Sequence, residues 1–211
     1  MAPSFAADGP LREDDAQDLV RRVATRYAQS ARGVIGVRSQ SLLVVEAPLF
    51  KRRIANDGWF VFVDGVLEKS KDAPDPRQPP LRDPYRTEYL GEYVYAFTSC
   101  RDCRPGTEAV AFSSPIRDVR HASGTLVIDT ATALIVAQTE TPYKLPWPTK
   151  SGDLVATWGT TDGGWFPKSI TGSFVGKIGP FVGHARYAQT LSPYRRFEDV
   201  ATATAALSQQ P

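Results

Sequence analysis

The chain has 211 residues, 42% of them hydrophobic and 23% charged, with 25 Lys and Arg against 23 Asp and Glu. That is the make-up of one compact soluble domain over residues 1–211, long enough for a core and an internal cavity besides. A net charge of +2 without a basic run excludes wholesale binding of nucleic acid through its phosphates, and the absence of any window of about 18 apolar residues excludes a transmembrane helix.

Residues 1–13 read as a flexible N-terminus. From 14 to 31, Leu19, Val20, Val23 and Tyr27 recur at three-and-four spacing while Arg21, Arg22 and Arg26 fall elsewhere, which predicts a helix; Asp14 and Asp15 favour its positive N-terminal end. After Gly33 the period becomes two, and Val34, Ile35, Val37 and Leu42 to Val45 form extended runs that stop at Pro48. Phe50 to Ile54 and Gly58 to Val63 read as two further strands joined by a turn at Asn56-Asp57-Gly58, and Asp64-Gly65 as another turn into Val66 and Leu67.

Five prolines, Pro74, Pro76, Pro79, Pro80 and Pro84, forbid a helix across residues 72–84 and predict an exposed Pro-rich loop. Tyr89 to Thr98, Glu108 to Phe112, Gly124 to Ile128, Leu134 to Thr139, Leu154 to Trp158, Trp165 to Val175 and Val182 to Thr190 follow as strands, with a clear hairpin loop at Thr161 to Gly164. Glu198 to Leu207 is an alanine-rich short helix or tail. The result is an α+β chain of about ten antiparallel strands, and a sheet that wide must curl or close to protect its edges.

Catalytic signatures are absent from this pattern. Cys100 and Cys103 permit a disulfide, half a zinc site or a redox pair; with His121 and His184 the only histidines, and strands on both sides, a small loop disulfide in an oxidising compartment is the favoured reading, and no metal is expected. No Gly-x-Ser-x-Gly occurs, the carboxylates are scattered, and Gly172, Gly176, Gly179 and Lys177 do not make a phosphate loop. The expectation is therefore a protein that is not an enzyme and needs no cofactor.

The aromatic residues are more informative. Pleat alternation puts Tyr93, Tyr95 and Phe97 on one face, and likewise Phe60 with Phe62 and Leu126 with Ile128. Together with Phe174 these are the candidate lining of an apolar cleft; they count only as a group, since any one aromatic more often fills a core.

Three stretches carry a resemblance. The helix leading through Gly33 into long strands, the segment Gly124 to Asp129 followed by Ala133 to Val136, and the closing run Gly183 to Tyr187 through Leu191 to Tyr194-Arg195-Arg196-Phe197 resemble the LolA/LolB-like superfamily of periplasmic lipoprotein-sorting and lipid-carrier proteins. The resemblance implies a half-open β-barrel with an N-terminal and a short C-terminal helix, and a noncatalytic carrier that shields a lipid or the acyl chain of an acylated protein in its cleft. It also implies a periplasmic or secreted location, with the signal peptide removed ahead of Met1. The alternative is a structural or interaction module with a filled core, whose Pro-rich loop or Tyr194-Arg195-Arg196 segment contacts an envelope protein.

Overall fold

The computed structural model describes residues 13–48, 50–71, 80–100, 103–161 and 164–209. Helix α1 (Glu13–Ser30) is followed by ten strands: β1 (Val34–Ala47), β2 (Phe50–Val63), β3 (Val66–Ser70), β4 (Val94–Thr98), β5 (Thr107–Ser113), β6 (Ala122–Asp129), β7 (Leu134–Pro142), β8 (Thr149–Thr161), β9 (Gly164–Ile178) and β10 (Phe181–Phe197). Helix α2 (Val200–Ser208) ends the order. All ten strands form one antiparallel sheet in the order β3-β2-β1-β10-β9-β8-β7-β6-β5-β4, strongly curved and not closed, so that β3 and β4 are its two edges. Among the described residues no helix is long and apolar enough to cross a membrane.

The two helices take opposite faces because strand side chains alternate. On β1 and β2, Ile35, Phe60 and Phe62 point inward, while Val34, Trp59 and Val61 point outward against Ala203 and Leu207 of α2. The Asp199 carboxylate caps α2 by accepting from the Thr202 N–H at 2.7 Å. The inner face is covered over β4 to β7 by α1, whose Ala16, Leu19, Val20 and Val23 pack on Tyr93, Tyr95, Phe112, Leu126 and Ile128. This is the apolar stripe that the helical spacing predicts.

Three local expectations are corrected. Asn56-Asp57-Gly58 is not a turn: β2 pairs with β1 from Val34 opposite Val63 to Ala47 opposite Phe50, so those residues lie mid-strand opposite Ser41, Gln40 and Ser39. Fourteen consecutive partners satisfy more backbone groups than a turn at Gly58 would, and the reversal falls at Pro48 instead. By contrast Asp64 and Gly65, with φ of 49° and 79°, make the expected two-residue turn. Second, β4 starts at Val94 rather than Tyr89, since Leu90–Glu92 form a 3-10 turn in which the Glu92 N–H donates to the Tyr89 carbonyl. Third, Glu198 does not belong to the last helix, which begins at Val200 after its cap. Of the Pro-rich loop, residues 72–79 lie outside the described residues, as do residues 1–12 and the tip of the hairpin loop at 162–163.

Candidate functional site

Residues 80–92 lie on the inner face as a strap without α-helix, held to the β5–β6 loop at Arg82 and to the β2–β3 turn at Arg86. Several bonds fasten it. The Arg82 N–H donates to the Arg120 carbonyl at 2.7 Å, the Tyr93 and Tyr95 hydroxyls donate to the carbonyls of Arg82 and Pro84, and Arg86 donates to the Gly65 carbonyl at 2.9 Å. Tyr85 sits edge-on to Tyr27 of α1 (5.0 Å between ring centres) and to Trp158 of β8 (5.2 Å).

Neither the strap nor α1 fills the space over β1, β2 and β8 to β10. Two cavities remain. One, of about 700 Å³, lies under the strap and the last turn of α1, walled by Phe60, Phe62, Trp158, Phe166 and Leu191. The other, of about 730 Å³, lies toward the β1–β2 and β9–β10 turns, walled by Leu43, Val45, Leu145, Phe174 and Phe181. They meet at Leu81 and Leu154, which line both. Phe174 lies flat because Gly152 and Gly172 leave room beneath it: a Cβ on Gly172 would stand 2.8 Å from the ring and 2.9 Å from Leu154, and one on Gly152 would overlap the ring. Glycine thus keeps the floor of the apolar cavity low.

The first cavity has a polar patch. Asp83 and Tyr85 of the strap and Gln138 and Glu140 of β7 line it, with Arg86 nearby. Burial pushes the Glu140 carboxyl up from 4.5 to about 8, repulsion from Asp83 adds to this, and a 2.7 Å hydrogen bond from the Gln138 amide opposes it. Burial likewise pushes Asp83 up from 3.8 to about 6, against the attraction of Arg86 and the hydrogen bond the Tyr85 hydroxyl donates. A ligand here meets one carboxyl that holds its proton at neutral pH and one that gives it up.

Where the two ends of the strap meet at the β5–β6 loop, His121 is buried with Nδ1 2.6 Å from Asp118 Oδ1 and Nε2 2.9 Å from Glu92 Oε2, while Arg82 holds the other oxygen of Glu92. Each ring nitrogen thus faces a carboxylate oxygen. Burial alone would push Glu92 up, but the bonds from Arg82 and His121 hold it below its ordinary value, and the bond from His121 does the same for Asp118. This chain of charges ties the strap to the β5–β6 loop. Among the described residues no group of side chains has the make-up of a metal site.

Of the cleft residues expected from the sequence, Phe60 and Phe62 line the first cavity and Phe174 the second. Tyr93, Tyr95, Leu126 and Ile128 are buried under α1 and Phe97 packs against that cluster, so these five fill the core rather than wall a cavity; the helix occupies the inner face where they point. Cys100 and Cys103 are joined as a disulfide. Tyr194 is also interior, stacked on Phe166 with its hydroxyl donating to the Pro167 carbonyl at 2.8 Å, and Arg196 donates to the carbonyls at the end of α1, so this part of the aromatic-basic run is spent inside the fold.

The sequence reading missed Asp83, Gln138 and Glu140. Val127 opposes Ala137 while Ile128 opposes Ile135, so Val136 is an extra residue that reverses the alternation of β7 and turns Gln138 and Glu140 inward. Two polar residues sharing one face of an apolar strand were the available signal, hidden by that bulge.

The fold and its cleft define a class: an open, curved antiparallel half-barrel with a helix and a strap on its inner face and an amphipathic cavity between them. No family model and no curated protein matches the chain. Among solved structures it is similar to a domain named for outer membrane lipoprotein sorting from Vibrio parahaemolyticus, at 7% identity over 94% of this chain and 100% of that one, TM-score 0.49. It is similar to a DUF1329 family protein from Desulfovibrio piger at 9% identity over 89% and 99%, TM-score 0.43. A LolA superfamily protein from Nitrosomonas europaea aligns at 11% identity over 89% and 96%, TM-score 0.39. The open, strongly curved antiparallel sheet with an N-terminal helix and a short C-terminal helix is the architecture expected from the sequence.

Proposed function

We propose that the protein is a noncatalytic carrier that holds the acyl chain of a lipid or of an acylated protein in the cleft. The observation that carries this reading is the pair of neighbouring cavities that share Leu81 and Leu154 as wall, one apolar and the other polar at Asp83 and Glu140. Each is of the size that takes a small-molecule ligand. A hydrocarbon tail gains about 0.8 kcal/mol for every CH₂ it buries, without a covalent step. The Cys100–Cys103 disulfide supports an oxidising compartment, periplasmic or extracellular.

Native mass spectrometry of the purified protein, with organic extraction of whatever it carries, tests the reading. The expected result is a bound or exchangeable lipid that is lost in Leu154→Trp, where an indole blocks the junction. Repeated absence of lipid, or equal loading of that variant, contradicts it.

A further inference from the structure

The sheet register brings four connections to one end of the molecule. Ala47 lies opposite Phe50, Glu46 opposite His184, Thr149 opposite Gly176, and Ala122 opposite Pro142. The β1–β2 turn, the β5–β6 loop, the β7–β8 loop and the β9–β10 turn therefore surround the mouth of the apolar cavity, to whose wall each contributes: Pro48, Val119, Leu145 and Phe181.

This rim is unusual in two independent respects. First, large apolar side chains stand in water at its tips: Trp147 is 76% exposed, Phe50 and Ile178 53%, and Phe181 47%, with Val119 and Val182 beside them. Trp147 projects from a loop between two prolines, away from the core. Second, the charge is one-sided. The segments 46–53, 116–121, 142–150 and 176–186 hold nine Lys and Arg, all exposed, against two acids, Glu46 and Asp118. Glu46 is already engaged by Lys51 and Arg186, and Asp118 by His121. An excess of seven positive charges at one end of a chain whose net charge is +2 leaves the rest of the molecule acidic. Only Lys51-Arg52-Arg53 are consecutive; the other six cations come from three further segments that only the fold assembles.

We propose that this end of the sheet docks on an anionic phospholipid bilayer, with the tips of Trp147, Phe50 and Phe181 seated among the headgroups and the ring of cations over the phosphates. The charge decides the occupant. A plane of phosphates complements a ring of lysines and arginines around scattered apolar tips, and an amphipathic indole suits the boundary between water and hydrocarbon. The proposal goes beyond the cavity reading and rests on the exposure and the charge of the rim rather than on the hollow behind it. It orients the molecule with its apolar cavity facing the bilayer.

Flotation with vesicles of phosphatidylcholine, with and without phosphatidylglycerol, tests it. The protein floats with the phosphatidylglycerol vesicles and not with pure phosphatidylcholine, and salt releases it. The emission of Trp147 shifts to the blue on binding, a shift lost in Trp147→Phe while flotation persists. Removing Lys144, Lys150 and Lys177 together by alanine substitution weakens partitioning on the order of 100-fold, from about fivefold per cation. The exposed positions leave the fold intact, which an unchanged melting curve verifies. Leu154→Trp keeps vesicle binding, so failure of the carrier reading is told apart from failure of this one. Absence of flotation, flotation indifferent to the lysines, or a solution dimer that Trp147→Ser dissolves without any vesicle binding by the wild type would overturn the proposal.

Discussion

Glu140 and Asp83 make the cleft pH-sensitive at the level of single residues. Their carboxyls sit above their ordinary values of 4.5 and 3.8, at about 8 and about 6, so the folded chain binds more protons than the unfolded one between pH 4 and 8. Stability therefore falls as pH rises through that window. Glu92, Asp118 and Asp199, held below their ordinary values, act in the opposite sense: the stability they add is present at neutral pH and is lost as pH falls through the acid range below about 4. Urea unfolding should show a stability maximum near pH 4 and a decline toward pH 8. Glu140→Gln should flatten that decline, and a decline of the same slope in the variant would remove Glu140 as its cause. A second residue-scale outcome concerns Gly172, where an added methyl pushes the Phe174 ring and Leu154 toward the cavity. Gly172→Ala should cost about 1–3 kcal/mol in denaturant titrations and weaken ligand binding. Alternation along β2 puts Phe60 and Phe62 together on the inner face, beside the first cavity. Glu140 was not legible in this way, because the bulge at Val136 shifts its face and only the paired strand reveals the bulge.

At the scale of elements, the strap is the part whose behaviour depends on a few polar contacts. His121 carries one of its fastenings, the bond to Glu92, so His121→Leu should lower stability by about 1–3 kcal/mol through the carboxylate oxygens that lose their bonds to the ring. Hydrogen exchange at residues 80–93 should accelerate more than in α1, and uniform acceleration would show that the histidine serves the whole fold instead. The Cys100–Cys103 bridge closes a short loop between β4 and β5, and Cys100→Ser with Cys103→Ser should cost no more than about 2 kcal/mol. Intact mass with and without reductant should differ by two hydrogens. Helix α1 and most strand cores follow directly from periodicity in the sequence. The hairpin misplaced at Asn56-Asp57-Gly58 shows the limit of local signals: the turn residues there are strong, but the ladder offered by β1 runs past them.

For the whole molecule, the order β3-β2-β1-β10 is what opens the cleft. The chain lays down three strands, crosses the inner face as the strap, and returns by a seven-strand meander that ends beside β1. Helix α1 covers the sheet over β4 to β7, and the strap reaches from the β5–β6 loop to the β2–β3 turn, leaving the space over β1, β2 and β8 to β10 unfilled. No sequence period encodes that crossing, which depends on which distant strands pair, and so the division between filled core and hollow cleft emerges only in three dimensions. The most direct measurement of the carrier reading is a titration with saturated fatty acids of increasing length, followed by displacement of a fluorescent acyl probe. Affinity should tighten about fourfold for each added CH₂, from about 0.8 kcal/mol of transfer free energy, and level off once the two neighbouring cavities are full. Affinity that does not change with chain length would contradict an acyl chain in the cleft.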